Sequence, residues 1–338
     1  MDLKFVELAK STRVIVEDCL KVKPDEEVLI VTDTRVTDYF GTESLIESIM
    51  GSVKAVGAEA NIITYITRTR DGDEIPKLVG AAMKSADVVI TLPTFGVTHS
   101  SASREASAAG ARVLMLPCGA DLGRTSDMIY RMMPKSKEEI DMIGQLTSKL
   151  GTAFQNGKKV HVTTAIGTDM TMEVGDMKMF INTGLCDKPG MTQYMPTGQL
   201  AIGVNPGTAN GKVIVDASIV PIKRPLNENI TMLIENGYIT SIEGDADADI
   251  YRKEIESVGS KDAFNIAEIG LGTNKKALVM GDPLEDERVF GSGHIGIGAN
   301  ANFGGTIGLG GWHTDAVFLN ATMEIDNQLI MENGVYTV

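Results

Sequence analysis

Two different hydrophobic rhythms divide this chain near its middle, and together they leave few folds open. In the first half, continuous apolar runs (EVLIVTD at 27–33, EANIITYI at 59–66, DVVITLPT at 87–94, RVLMLPC at 112–118) alternate with helical patterns near 42–57, 75–86 and 99–110. Strands that are apolar throughout, each followed by a helix, belong to a parallel sheet covered on both faces. Residues 121–133 and 136–154 read as two closing helices, the second starting after Pro134 with S-K-E-E, a capped start. In the second half the runs shorten and alternate (KVHVTT, MTMEV, GQLAIGV, GKVIVDASIV, ITMLI) between Gly, Asn and Pro turns. That is the pattern of a mostly antiparallel sheet. The segments at 230–240 and 327–337 each carry Asn-Gly at the tip of an expected hairpin, and one helix is expected near 246–257. The expectation is an α/β chain in two parts: a parallel-sheet α/β domain over 1–157 and a β-rich α+β domain over 158–338. A length of 338 residues agrees, since domains usually run to about 100–200 residues.

Composition narrows the partners. A formal charge of −14 argues against nucleic acid, whose binding rests on Lys and Arg contacts to phosphates. No apolar run approaches the roughly 20 residues that span a bilayer, and MDLKFVELAK mixes charges into an amphipathic pattern unlike a signal peptide, so a cytoplasmic location is expected. Cys19, Cys118 and Cys186 are far apart and odd in number, the signature of isolated thiols rather than a disulfide framework or a cysteine metal site. Many short strands leave edges to cover, which favours a homo-oligomer.

The chemistry gathers in residues 264–317, where NIAEIGLGTN, GSGHIGIGANANFGGTIGLGG and WHTDAVF follow one another. His313 and Asp315 stand two apart on an expected strand, so both side chains point to one face. Glu268 and His294 are titratable residues set among residues that ought to be buried, and a buried charge is costly unless paired or metal-bound. Together the four make a His/His/carboxylate set suited to iron(II), zinc or manganese rather than calcium. The chain has four histidines, and two are here. His161, in VHVTT, reads as structural. His99, in TLPTFGVTHSSASREA, falls just past an apolar strand and at the start of a helix, where open α/β sheets bind ligands, and it could serve as a general base. Thr94, Thr98, Ser100 and Ser101 around it could bind polar substrate atoms.

These segments, in this order, resemble the aminopeptidase T-like metallopeptidases and their relatives, the 2,5-dihydroxypyridine 5,6-dioxygenases. The carriers are VTHSSASREASAAGARV, PTGQLAIGVNPGTANG, NIAEIGLGTN, HIGIGAN and GWHTDAVF, which between them cover most of the chain. The peptidase branch implies two metals held by two glutamates, two histidines, an aspartate and a tyrosine. Glu268, His294, His313 and Asp315 carry over, but Gln199 stands where that branch has the glutamate of P-T-G-E, and the tyrosine is missing. The dioxygenase branch implies one ferrous iron; it matches in T-H at Thr98 and His99 and in H-x-D at His313 and Asp315, and has a third histidine where this chain has Glu268.

The resulting expectation is a metalloenzyme acting on a small molecule. The leading reading is a mononuclear iron(II) dioxygenase that opens a small hydroxylated N-heterocycle. Glu268, His294, His313 and Asp315 would supply the metal ligands, His99 and Glu268 the catalytic groups, and Thr98, Ser100 and Gln199 the substrate contacts. The alternative is a hydrolase of the aminopeptidase or amidase kind, using water activated by zinc, manganese or cobalt, with Glu268 as base.

Overall fold

A computed structural model describes residues 3–35, 42–69, 73–97, 100–116, 125–308 and 312–338. The chain forms two compact units: residues 1–144 with 182–197, and residues 145–181 with 198–338. The helix Lys137–Asn156 runs across the division between Gly144 and Gln145.

The first unit is built as the apolar runs require. Strands Glu27–Asp33, Glu59–Tyr65, Val88–Leu92 and Arg112–Met115 pair in parallel, in the order second, first, third, fourth. Val88–Leu92 is buried along its whole length and Glu27–Asp33 at all but its first residue, which is why their sequences do not alternate. Helices Thr42–Ala55, Lys77–Ser85 and Ser101–Ala108 connect them. The fifth strand, Thr192–Tyr194, joins parallel to Arg112–Met115 from far along the sequence. It is three residues long, too short to show a hydrophobic period, and it lies beyond the expected boundary at 157.

The second unit holds a sheet with 13 strands among the described residues, and its registered pairings are antiparallel. Both Asn-Gly pairs sit at hairpin tips, with Asn236, Gly237, Asn333 and Gly334 all at positive φ. Positive φ at both central residues is what a two-residue turn matched to strand twist demands. Consecutive strands Gln199–Val204, Ile266–Gly272, Gly293–Gly298 and His313–Phe318 form one contiguous stretch of this sheet. One face of the stretch contributes Leu200, Ile202, Ile269, Leu271, Ile295, Ile297, Ala316 and Phe318 to the main core. Each fully buried Leu, Ile or Phe there contributes about 1.5–3 kcal/mol. The same residues press this face inward and so turn the alternate positions to the other side.

Candidate metal centre

That other side carries the candidate metal ligands. Register pairs Glu268 with Gly203 on one neighbour and Gly296 on the other, and Gly296 in turn with Asp315. Gly270 lies opposite His294, Gly298 opposite His313, and Gly272 opposite Gln199. Period two therefore sorts GHIGIG into two sets, isoleucines toward the core and His294, Gly296 and Gly298 toward the site. The glycines form a floor on which the functional side chains lie. A Cβ on Gly296 would stand 2.2 Å from Glu268 Cγ and 2.8 Å from His313 Cε1, and one on Gly270 would stand 2.1 Å from His294 Nε2. Over Gly272 the space is taken by backbone, Val289 O lying 2.1 Å from a Cβ there.

Glu268 faces both histidines: Oε1 is 3.3 Å from His294 Nε2, and Oε2 is 3.2 Å from His313 Nε2. His313 Nε2 also lies 3.4 Å from Asp315 Oδ1. One ligating atom from each of Glu268, His313 and Asp315 falls within 4.8 Å of the others. His294 is fully buried and Glu268 nearly so, whereas the side chains of His313 and Asp315 remain 20% and 16% exposed, so the cluster opens on their side. His313 donates Nδ1–H to Ala299 O at 2.8 Å, which turns Nε2 toward the two carboxylates.

The charges are unbalanced. Burial opposes ionisation of Glu268, yet hydrogen bonds from His294 and His313 hold its carboxyl down to about 2. Burial likewise opposes a charge on His313, and Asp315 and Glu268 outweigh it, raising the imidazole well above its usual range. Glu287 is raised by burial and by the charges of Asp315 and Glu268. The Asp315 Oδ1 atom is buried and accepts no hydrogen bond. An unsatisfied carboxylate oxygen beside a second carboxylate and an oriented imidazole nitrogen fits a divalent cation, and one nitrogen with two carboxylates suits iron(II), zinc or manganese.

The candidate residues do not all converge here. Gln199 borders the cluster, donating Nε2–H to Glu287 Oε2 at 2.6 Å with His294 Nε2 3.5 Å away. Ser100 caps the Ser101–Ala108 helix and is fully buried, its hydroxyl donating to Val97 O and accepting from Ser103 N. Thr94 donates N–H and Oγ1–H to Asp33, and Ser101 donates to Glu74. The Ser100 hydroxyl, expected from sequence to meet substrate, is thus engaged by its own helix start, and those of Thr94 and Ser101 by neighbouring carboxylates. Thr98 and His99 lie outside the described residues, as does Cys118. His161 is paired with Asp169 at 2.9 Å, and Cys19 and Cys186 are buried free thiols, burial pushing Cys186 up to about 12. Sequence reasoning missed Glu287, which sits in the charged run LEDER and carries no local sign of the site it borders.

Residues 7–338 match the NicX family, described as 2,5-dihydroxypyridine 5,6-dioxygenase. The 2,5-dihydroxypyridine 5,6-dioxygenase of Pseudomonas putida is 24% identical over 264 residues, which are 75% of this chain and 71% of that protein. The solved structure of a 2,5-dihydroxypyridine dioxygenase from Pseudomonas putida superposes with a TM-score of 0.82 at 19% identity, covering 99% of this chain and 98% of that one. AmpT from Thermus thermophilus superposes with a TM-score of 0.67 at 13% identity over 98% of this chain and 99% of its own, so the two share a fold. Among the described residues no helix is long and apolar enough to cross a membrane. The chain belongs to the 2,5-dihydroxypyridine 5,6-dioxygenase family, and is an enzyme on the dioxygenase side of the choice that its sequence left open.

Proposed function

We propose that this chain is a mononuclear, iron(II)-dependent dioxygenase that opens the ring of a small hydroxylated N-heterocycle of the 2,5-dihydroxypyridine kind. Support comes from the convergence of Glu268, His313 and Asp315, ligating atoms within 4.8 Å, in a chain of this family. A bound ferrous ion would supply the redox chemistry toward dioxygen that no side chain here possesses. Glu268, kept anionic in its buried position, would be one of the residues that hold the cation. His313 presents Nε2 because its Nδ1–H is fixed by Ala299 O, and Asp315 would contribute Oδ1, which accepts no hydrogen bond and has His313 Nε2 3.4 Å away. The partial exposure of these two residues leaves their side of the site to a small substrate. The proton of the substrate's hydroxyl goes to His99, whose ordinary pKa of about 6.5 suits transfer near neutrality.

The test is oxygen uptake by protein loaded with iron(II) in the absence of air and then given 2,5-dihydroxypyridine in aerated buffer. Oxygen and substrate should disappear mole for mole. Full conversion under strict anaerobiosis, or hydrolysis of small peptides with no oxygen consumed, would return the chain to the hydrolase reading.

A further inference from the structure

The two histidines of the cluster have opposite hydrogen-bond environments. His313 has Nδ1–H on a carbonyl, which leaves Nε2 as the nitrogen turned toward the two carboxylates. His294 has no partner for Nδ1, although that atom is buried, and its Nε2 is 3.3 Å from Glu268 Oε1. Were the His294 proton on Nδ1, a buried N–H would be stranded and the Nε2 lone pair would face those of a carboxylate. With the proton on Nε2, a bare acceptor is left at Nδ1 and Glu268 gains a donor, the cheaper arrangement. The second N–H of Gln199 Nε2 is 3.5 Å from His294 Nε2, a longer approach than its own 2.6 Å bond to Glu287 and than the 3.3 Å to Glu268 Oε1, so it weighs less in placing the proton. Gly270 allows the ring to lie flat in this place, a Cβ there falling 2.1 Å from Nε2 and 2.2 Å from Cε1. His294 also stands outside the set of residues whose ligating atoms all approach one another.

We propose that His294 is a positioning residue and not a metal ligand: its Nε2–H holds Glu268 Oε1, which leaves Oε2 aimed at the ion site beside His313. This inference rests on the proposed function, because it assigns a role within the same centre. It also revises the sequence expectation that both histidines bind metal.

The experiment uses cobalt(II) as the probe, since its visible bands report the ligands directly. Wild-type chain, His294→Leu and His294→Gln are titrated with cobalt(II). His294→Leu should weaken binding about 10- to 100-fold, the usual effect of losing a partner of a ligand. Its bands at saturation should match the wild type in position and intensity. His294→Gln, which keeps an N–H donor, should recover most of the affinity. Bands that shift or lose intensity in the variants would make His294 a ligand and overturn the assignment. X-ray absorption on the cobalt-loaded wild-type chain decides the matter even if the variants fail to fold, one bound imidazole supporting the assignment and two overturning it. A wild-type chain that takes up no divalent ion removes the proposed function and this assignment together, whereas uptake with altered variant spectra removes only the latter.

Discussion

Two buried carboxylate regions, one in each unit, use the same residue types to opposite ends. Asp33, at the end of its parallel strand, is 1% exposed and accepts from Thr94 N at 2.7 Å, Thr94 Oγ1 at 2.9 Å, Thr67 Oγ1 at 2.9 Å and Arg35 N at 3.0 Å. These donors come from segments that follow three neighbouring strands, so the carboxylate ties the strand ends together. Glu268 and Asp315 are also held on strands, but across Gly296 they face each other and His313, and Asp315 Oδ1 accepts nothing. A buried acid surrounded by protein donors is structural; two acids that face each other, one of them with an oxygen that accepts no hydrogen bond, suit a cation. The contrast lies first in the donors.

The largest effect expected is on the glycine floor. Gly296→Ala places a methyl group 2.2 Å from Glu268 Cγ, and should weaken divalent-ion binding by more than about 100-fold, beyond the loss usual for a ligand's supporting partner. Retention of wild-type affinity in a metal titration would show that the floor does not shape the site.

Next comes the contrast itself. Asp33→Ala leaves at least four donors without their acceptor and should destabilise the chain by about 3 kcal/mol in urea unfolding. Asp315→Asn, measured without metal, should change stability by less than about 1 kcal/mol, because lost attraction to His313 is offset by relief of repulsion from Glu268 and Glu287. Equal destabilisation of the two variants would erase the distinction between the regions. A related expectation is that an ion at a hundred times its dissociation constant stabilises the wild-type chain by about 2.7 kcal/mol, reversed by a chelator, and leaves Asp315→Asn unchanged.

The smallest effect concerns pH. In the metal-free chain the charges of Asp315 and Glu268 raise His313 above its usual range, so at neutral pH its Nε2 carries a proton that an ion must displace. Affinity should fall as pH falls and climb as pH rises toward that raised value, by up to about tenfold per pH unit, about 1.4 kcal/mol. Calorimetry in buffers of different ionisation enthalpy should detect proton release on binding; none released would contradict the assignment of His313.

Much of this was legible in the sequence for reasons that differ by residue. His313 and Asp315 could be placed on one face because strand periodicity is strict. Glu268 and His294 stood out because they interrupt apolar, glycine-rich sequence. The hydroxyls of Ser100, Thr94 and Ser101 carried no signal of their partners, since serine and threonine at a strand-to-helix junction serve a helix start or a nearby carboxylate as readily as a ligand. Glu287 was hidden in a run of charges, and the carbonyl of Ala299 that orients His313 has no side-chain signature at all. Thr192–Tyr194 was lost to its brevity, because a three-residue strand shows no period.

The most direct test of the centre is a metal count by elemental analysis on wild-type chain and His313→Ala, both purified without air and without chelators. One iron per wild-type chain and none in the variant is the predicted result. Two ions per wild-type chain, or an undiminished count in His313→Ala, would contradict it.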